Sequence, residues 1–190
     1  VDLAEWEASA SRHNQCLAAL YTVSLRDFTL KHDQIRCLGN YIVAMGEKVI
    51  SLYLQKCHIK MSFHKLLATL FASVGHIIGE YCFIGNTYHK KKLLGVNMQA
   101  SAPKCWSLTV MNSTLKPKAF KYINKVLSKA PLTKLSLNRV QMRDEDLALL
   151  HPLLATCSLR LLDVNNNLLS KDGIIALYPF AMKWKNLKQV

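Results

Sequence analysis

Six cysteines, seven histidines and the acidic run Asp144, Glu145 and Asp146 are the residues of this 190-residue chain whose types could support metal, redox or acid–base chemistry. A metal site needs ligands brought together at defined spacings, and the chain has neither a CxxC pair nor a Cys-His cluster at ligand spacing. Cys57 and Cys105 fall on ladder and core positions, Cys16 and Cys37 on helix faces, Cys82 on a strand surface and Cys157 at a helix end. They read as buried reduced thiols, which favours a reducing, cytoplasmic setting; a nuclear or secreted-effector origin stays open. His58, next to Cys57, reads as a turn residue. Asp144 to Asp146 stand where a helix begins, and carboxylates there interact favourably with the helix dipole. With no Gly-rich phosphate loop and no GxSxG elbow, the chain reads as non-catalytic, with no cofactor and no metal.

Charge is more informative than chemistry. Of the +13 formal charge, nearly all comes from one third of the chain, because Tyr81 through Arg143 contain twelve Lys or Arg and no Asp or Glu. Lys90, Lys91 and Lys92 form a run, and Lys118, Lys121, Lys125 and Lys129 are spaced to share one helix face. Such a field attracts RNA, an acidic protein or an anionic membrane surface. The most apolar stretch, residues 66–84, contains His76 and Glu80 and reads as a helix followed by a strand, not as a membrane span.

The elements that hold these residues are set by a recurring frame: an apolar residue, two free positions, apolar, one free, apolar, two free, then Asn, Cys or a substitute. It runs Leu20-Val23-Leu25-Phe28-Leu30, Val49-Leu52-Leu54-Cys57-Ile59, Ile78-Tyr81-Phe83-Asn86-Tyr88, Cys105-Leu108-Val110-Ser113-Leu115, Leu132-Leu135-Leu137-Val140-Met142 and Leu159-Leu162-Val164-Asn167-Leu169, with a seventh start at Leu187. Successive starts are separated by intervals of 29, 29, 27, 27, 27 and 28. Positions 1, 4 and 6 should point into a core, and the side chain at position 9 should satisfy backbone groups where the chain leaves the strand. Phe28 and Val140 cannot do so, which predicts looser turns at those two units.

Helical periodicity fills the second half of most units. Ile35, Leu38, Ile42 and Val43 form the first stripe, and Phe63, Leu66, Leu67 and Leu70 the second. Phe120, Ile123, Val126 and Leu127 recur one interval later as Leu147, Leu150, Leu153 and Leu154, and again as Ile174, Leu177, Phe180 and Ala181. The third unit, with Gly95 among Leu93, Leu94, Val96 and Met98, predicts a short or irregular helix. Pro117 marks a helix start, whereas Pro152 and Pro179 lie inside helical stretches and predict bends.

This register resembles the leucine-rich repeat family, in its ribonuclease-inhibitor-like subtype. The resemblance implies an α/β fold: a curved solenoid, or horseshoe, with parallel strands on the concave face and helices on the convex face. Residues 1–19 then form an N-terminal capping helix and 20–190 a single repeat domain. The absent initiator Met and the mid-strand end at Val190 suggest a piece of a longer protein. Relatives of this type serve in innate-immune receptors, actin and GTPase regulation, ribonuclease inhibition and secreted bacterial effectors. A scaffold or recognition domain for another protein is therefore the expected function. The expected partner-binding residues on the concave face are Arg26, Tyr53, Gln55, Glu80, Ile84, Thr109, Met111, Lys134, Asn138, Leu161, Asp163 and Asn165. The alternative is a polyanion-associated component that uses Lys90, Lys91, Lys92, Lys118, Lys121, Lys125 and Lys129 on the convex face.

Overall fold

The computed structural model describes residues 22–46, 49–89 and 103–184. The capping segment 1–19, the frame starts at Leu20 and Leu187, Cys16, the Lys90 to Lys92 run and the irregular helix expected around Gly95 lie outside the described residues.

Each frame produces a short strand where apolar positions alternate. The strands are β1 (Thr22–Arg26), β3 (Ser51–Gln55), β5 (Glu80–Ile84), β7 (Ser107–Met111), β8 (Lys134–Asn138) and β9 (Leu161–Asp163). All pair in parallel, in chain order, as one six-stranded sheet. The register follows the frame: Thr22 faces Ser51, Ser51 faces Glu80, Glu80 faces Ser107, Ser107 faces Lys134, and Lys134 faces Leu161. The steps in numbering between these partners repeat the intervals of the frame, so a position in the frame is also a row across the sheet. Beyond the turn, β2 (Thr29–Leu30), β4 (His58–Ile59) and β6 (Thr87–Tyr88) form a second parallel sheet.

Between the strand and its continuation, the residue at frame position 8 always adopts a left-handed backbone. It is Asp27, Lys56, Gly85, Asn112, Arg139 or Asn166, with φ from 51° to 64°. In the first four units its N–H donates to the last strand carbonyl of the next unit, as in Lys56 to Ile84 at 2.8 Å and Gly85 to Met111 at 2.8 Å, and Arg139 N–H donates to the Asn165 carbonyl just beyond β9. Gly meets this requirement without strain, and Asn and Asp tolerate it. Lys56 and Arg139 incur a steric cost that the flanking ladder must offset.

The helices are α1 (His32–Met45), α2 (Phe63–Val74), α3 (Pro117–Leu127), α4 (Asp144–Ala148), α5 (His151–Thr156), α6 (Lys171–Ile175) and α7 (Tyr178–Lys183). Their apolar stripes join strand positions 4 and 6 in one buried cluster, in which Leu52, Leu54, Tyr81, Phe83, Leu108, Val110, Phe120 and Ile123 have no exposed surface. At about 1.5–3 kcal/mol for each fully buried large apolar side chain, this packing is the main source of helix stability. It has to be, because Lys31, Lys116 and Arg143 occupy N-cap positions without a side-chain hydrogen bond to the helix N–H groups. A Ser or Asp there is worth about 1 kcal/mol more.

Three expectations require correction. Pro152 and Pro179 split the helix instead of bending it: α4 ends at Ala148 before α5, and α6 ends at Ile175 before α7, each proline sitting in the first turn of the second piece. A proline lacks the N–H for a bond four residues back, and the preceding turn tightens to bonds of three residues' span, such as Leu150 N–H to Leu147 at 2.8 Å. Val43 and Ile174, assigned to core stripes, are 44% and 51% exposed. The turns at Phe28 and Val140 are not loose. The Phe28 carbonyl accepts from His58 N–H at 2.7 Å, and Val140 N–H donates to Asn167 Oδ1 at 3.0 Å. Position 9 ties the unit before it, so an apolar residue there is secured by its successor.

Candidate interaction faces

On the sheet face away from the helices, frame positions 3, 5 and 7 form three rows. The first contains Thr22, Ser51, Glu80, Ser107, Lys134 and Leu161; the second contains Ser24, Tyr53, Cys82, Thr109, Ser136 and Asp163. The third contains Arg26, Gln55, Ile84, Met111 and Asn138, with Asn165 just beyond β9. Parallel register brings the expected partner-binding residues onto one surface. It does not leave them equally open. Arg26 and Asn165 are exposed, and Tyr53, Gln55, Glu80, Ile84, Met111, Lys134, Asn138, Leu161 and Asp163 are partly exposed. Thr109 is only 7% exposed, and Ser51, Cys82, Ser107 and Ser136 are buried with it. Strands about 4.8 Å apart let longer neighbours lean over small side chains, which explains the loss.

The two carboxylates of this face are committed to neighbours. Glu80 accepts hydrogen bonds from Ser51 Oγ at 3.0 Å, Tyr53 Oη at 3.2 Å and Ser107 Oγ at 3.4 Å. Burial and the adjacent Glu80 raise the pKa of the Tyr53 phenol. Asp163 accepts from Ser136 Oγ at 2.9 Å, Asn165 N–H at 3.0 Å and Asn138 Nδ2 at 3.2 Å. Burial works to raise its pKa, but these donors outweigh burial and hold the carboxyl below its usual range. Acids bonded in this way orient rows of side chains. Between them lie Ile84 and Met111, opposite each other in register and partly open.

A second face is α3. Its apolar side, including Ala119, Phe120, Tyr122, Ile123, Val126 and Leu127, is buried. Lys118, Lys121 and Lys125 on the helix, Lys116 at its N-cap and Lys129 in the turn beyond it are exposed. None of the five forms an ion pair among the described residues. The expected lysine face thus exists for these residues, while Lys90, Lys91 and Lys92 are outside the description.

A third feature escaped the sequence reading. Frame position 12, at the strand-exit rim, is occupied by Lys31, Lys60, His89, Lys116 and Arg143 in the first five units and by Ser170 in the sixth. The signal was a Lys, Arg or His recurring at the frame's own intervals through five units. It was hidden because the frame was read only to position 11.

Of the thiols that are described, Cys57, Cys105 and Cys157 are buried and free as expected, whereas Cys37, also free, is exposed and departs from the reading of buried thiols. Cys82 is buried instead of lying on the surface. Burial pushes Cys105 up to about 12 and Cys82 up to about 11. Among the described residues, no group of three His, Cys, Asp or Glu could hold a metal ion, and no helix is long and apolar enough to cross a membrane. Comparison of the chain with protein-family models and with curated proteins returns no match.

Proposed function

We propose that the chain is a curved leucine-rich-repeat array of the ribonuclease-inhibitor-like type that captures another protein on its strand face. The observation that carries this reading is the partly open Ile84–Met111 pair, flanked by Tyr53 and by carboxylates already satisfied within the chain. A surface with its carboxylates internally satisfied and its apolar side chains open favours a partner that anchors apolar groups between polar contacts. The buried free thiols support a reducing, cytoplasmic setting.

The exposed α3 lysines favour a second reading, association with RNA or an anionic membrane surface through electrostatics that weaken as salt rises. Affinity capture from lysate, with and without nuclease and at low and high salt, separates the two. A discrete protein retained through nuclease and salt, and lost in the Tyr53→Asp/Met111→Asp variant, supports the first reading. Loss of all material on nuclease or salt treatment, and in Lys121→Glu/Lys125→Glu/Lys129→Glu, supports the second. A partner that ignores both variants overturns both readings.

A further inference from the structure

At the strand-exit rim, two histidines from successive units meet. His58 opens β4, and His89 directly follows β6, the strand paired with it. Their Nε2 atoms are 2.9 Å apart, with the rings edge to face at 81°. Thr87 Oγ1 lies 2.6 Å from His58 Nδ1. With the Nδ1 proton donated to Thr87, His58 Nε2 is the lone-pair nitrogen and faces His89. In that tautomer the Nε2–Nε2 contact is closed by His89 Nε2–H donating to His58 Nε2.

We propose that His58 and His89 form a two-imidazole chelate for a late first-row transition ion, with Cu²⁺ and Ni²⁺ preferred and water completing the coordination. Two nitrogens 2.9 Å apart, each about 2.0–2.1 Å from an ion, subtend about 90° at it. That is the cis angle of square-planar or octahedral coordination, so Cu²⁺ and Ni²⁺ fit the pair as it stands, whereas tetrahedral Zn²⁺ requires it to open. Binding needs only that the His89 proton move from Nε2 to Nδ1, which frees its lone pair for the ion. The Thr87 hydroxyl holds the His58 ring in the required orientation, as outer partners of metal-bound imidazoles do. Mg²⁺ and Ca²⁺ take oxygen donors and find none supplied by two imidazoles, so the donor type selects against them, while the charge of Lys60, one unit before His89 in the same rim row, opposes every cation alike. The bound ion would clip the second unit to the third through side chains, beside the β4–β6 backbone ladder.

The test is calorimetric titration of the untagged chain with NiCl2. One ion per chain is expected, with affinity at least about tenfold weaker in His58→Ala and in His89→Ala and unchanged in His64→Ala. Thr87→Val should keep the stoichiometry and lose about tenfold in affinity. In a Cys37→Ser background, CuCl2 should give an electron-spin spectrum with coupling to two imidazole nitrogens, and MgCl2 should give no heat. Unchanged Ni²⁺ binding in the two His variants, or a copper spectrum without imidazole coupling, overturns the proposal. Because His89 is exposed, His89→Ala decides the matter even if His58→Ala disturbs the fold.

Discussion

Asn86 holds the turn that Cys57 begins one unit earlier. Its Oδ1 accepts the Cys57 N–H at 2.7 Å, while its Nδ2 donates to the Leu54 carbonyl at 2.8 Å, and the side chain is 2% exposed. Both ends of one amide therefore satisfy backbone that is shut off from water.

Asn86→Ala leaves a buried donor and a buried acceptor unpaired, at about 1–3 kcal/mol each. We expect a loss of about 3 kcal/mol, read from the midpoint of a urea transition with unchanged slope. A loss under about 1 kcal/mol would mean that water or the neighbouring strand replaces the amide.

Gly173→Ala should destabilise the chain, although Ala in a helix normally gains about 1 kcal/mol over Gly. A Cβ at position 173 would collide with the Asp144 carboxylate. That carboxylate accepts from Ser170 N–H at 3.0 Å and Ser170 Oγ at 2.5 Å, bonds that hold its pKa below the usual range. Removing the obstacle with Asp144→Ala should restore the normal sign, so a thermal-denaturation double-mutant cycle must show strong coupling. Additive effects would contradict this account.

Thiol reactivity should divide by burial. At about pH 8, iodoacetamide should modify Cys37 in the native chain within minutes. Cys57, Cys82, Cys105 and Cys157 should resist until denaturant is added, because burial raises their pKa values and blocks access. Peptide mass mapping reads the order, and early labelling of Cys105 would show that the fourth unit opens readily.

Asp163 contributes to acid sensitivity. Its folded pKa is depressed, so the stability it supplies is present above the unfolded value near about 3.9 and is lost as pH falls through the lower folded value. Asp163→Asn should be less stable than the parent near about pH 7 and should show a flatter decline below about pH 4. Parallel curves for the two proteins would show that the hydrogen bonds from Ser136, Asn138 and Asn165 do not favour the charged form.

The strand layer was legible because the apolar alternation and the regular intervals of the frame constrain the same residues. A slip of one position would have exposed Leu52, Leu54, Tyr81 and Phe83 together. Side chains on the open face were less legible. Thr109 and Cys82 occupy the same frame position as Tyr53, and only the size of their neighbours in adjacent strands decides which is covered. The split helices were missed because a proline's effect depends on whether the preceding turn can tighten, as it does before His151. The His58–His89 contact needed the pairing of β4 with β6 and a residue just outside the frame.

The ties at position 9 run in one direction along the chain. Cys57 accepts help from Asn86, Asn86 N–H donates to Ser113 Oγ at 3.2 Å, and Val140 depends on Asn167. On the ribosome, a turn that has emerged must therefore wait one repeat interval, until position 9 of the following unit has emerged, before it is complete. At about 5–20 residues per second, each unit spends roughly 1–6 s unfinished, and folding follows synthesis one unit behind.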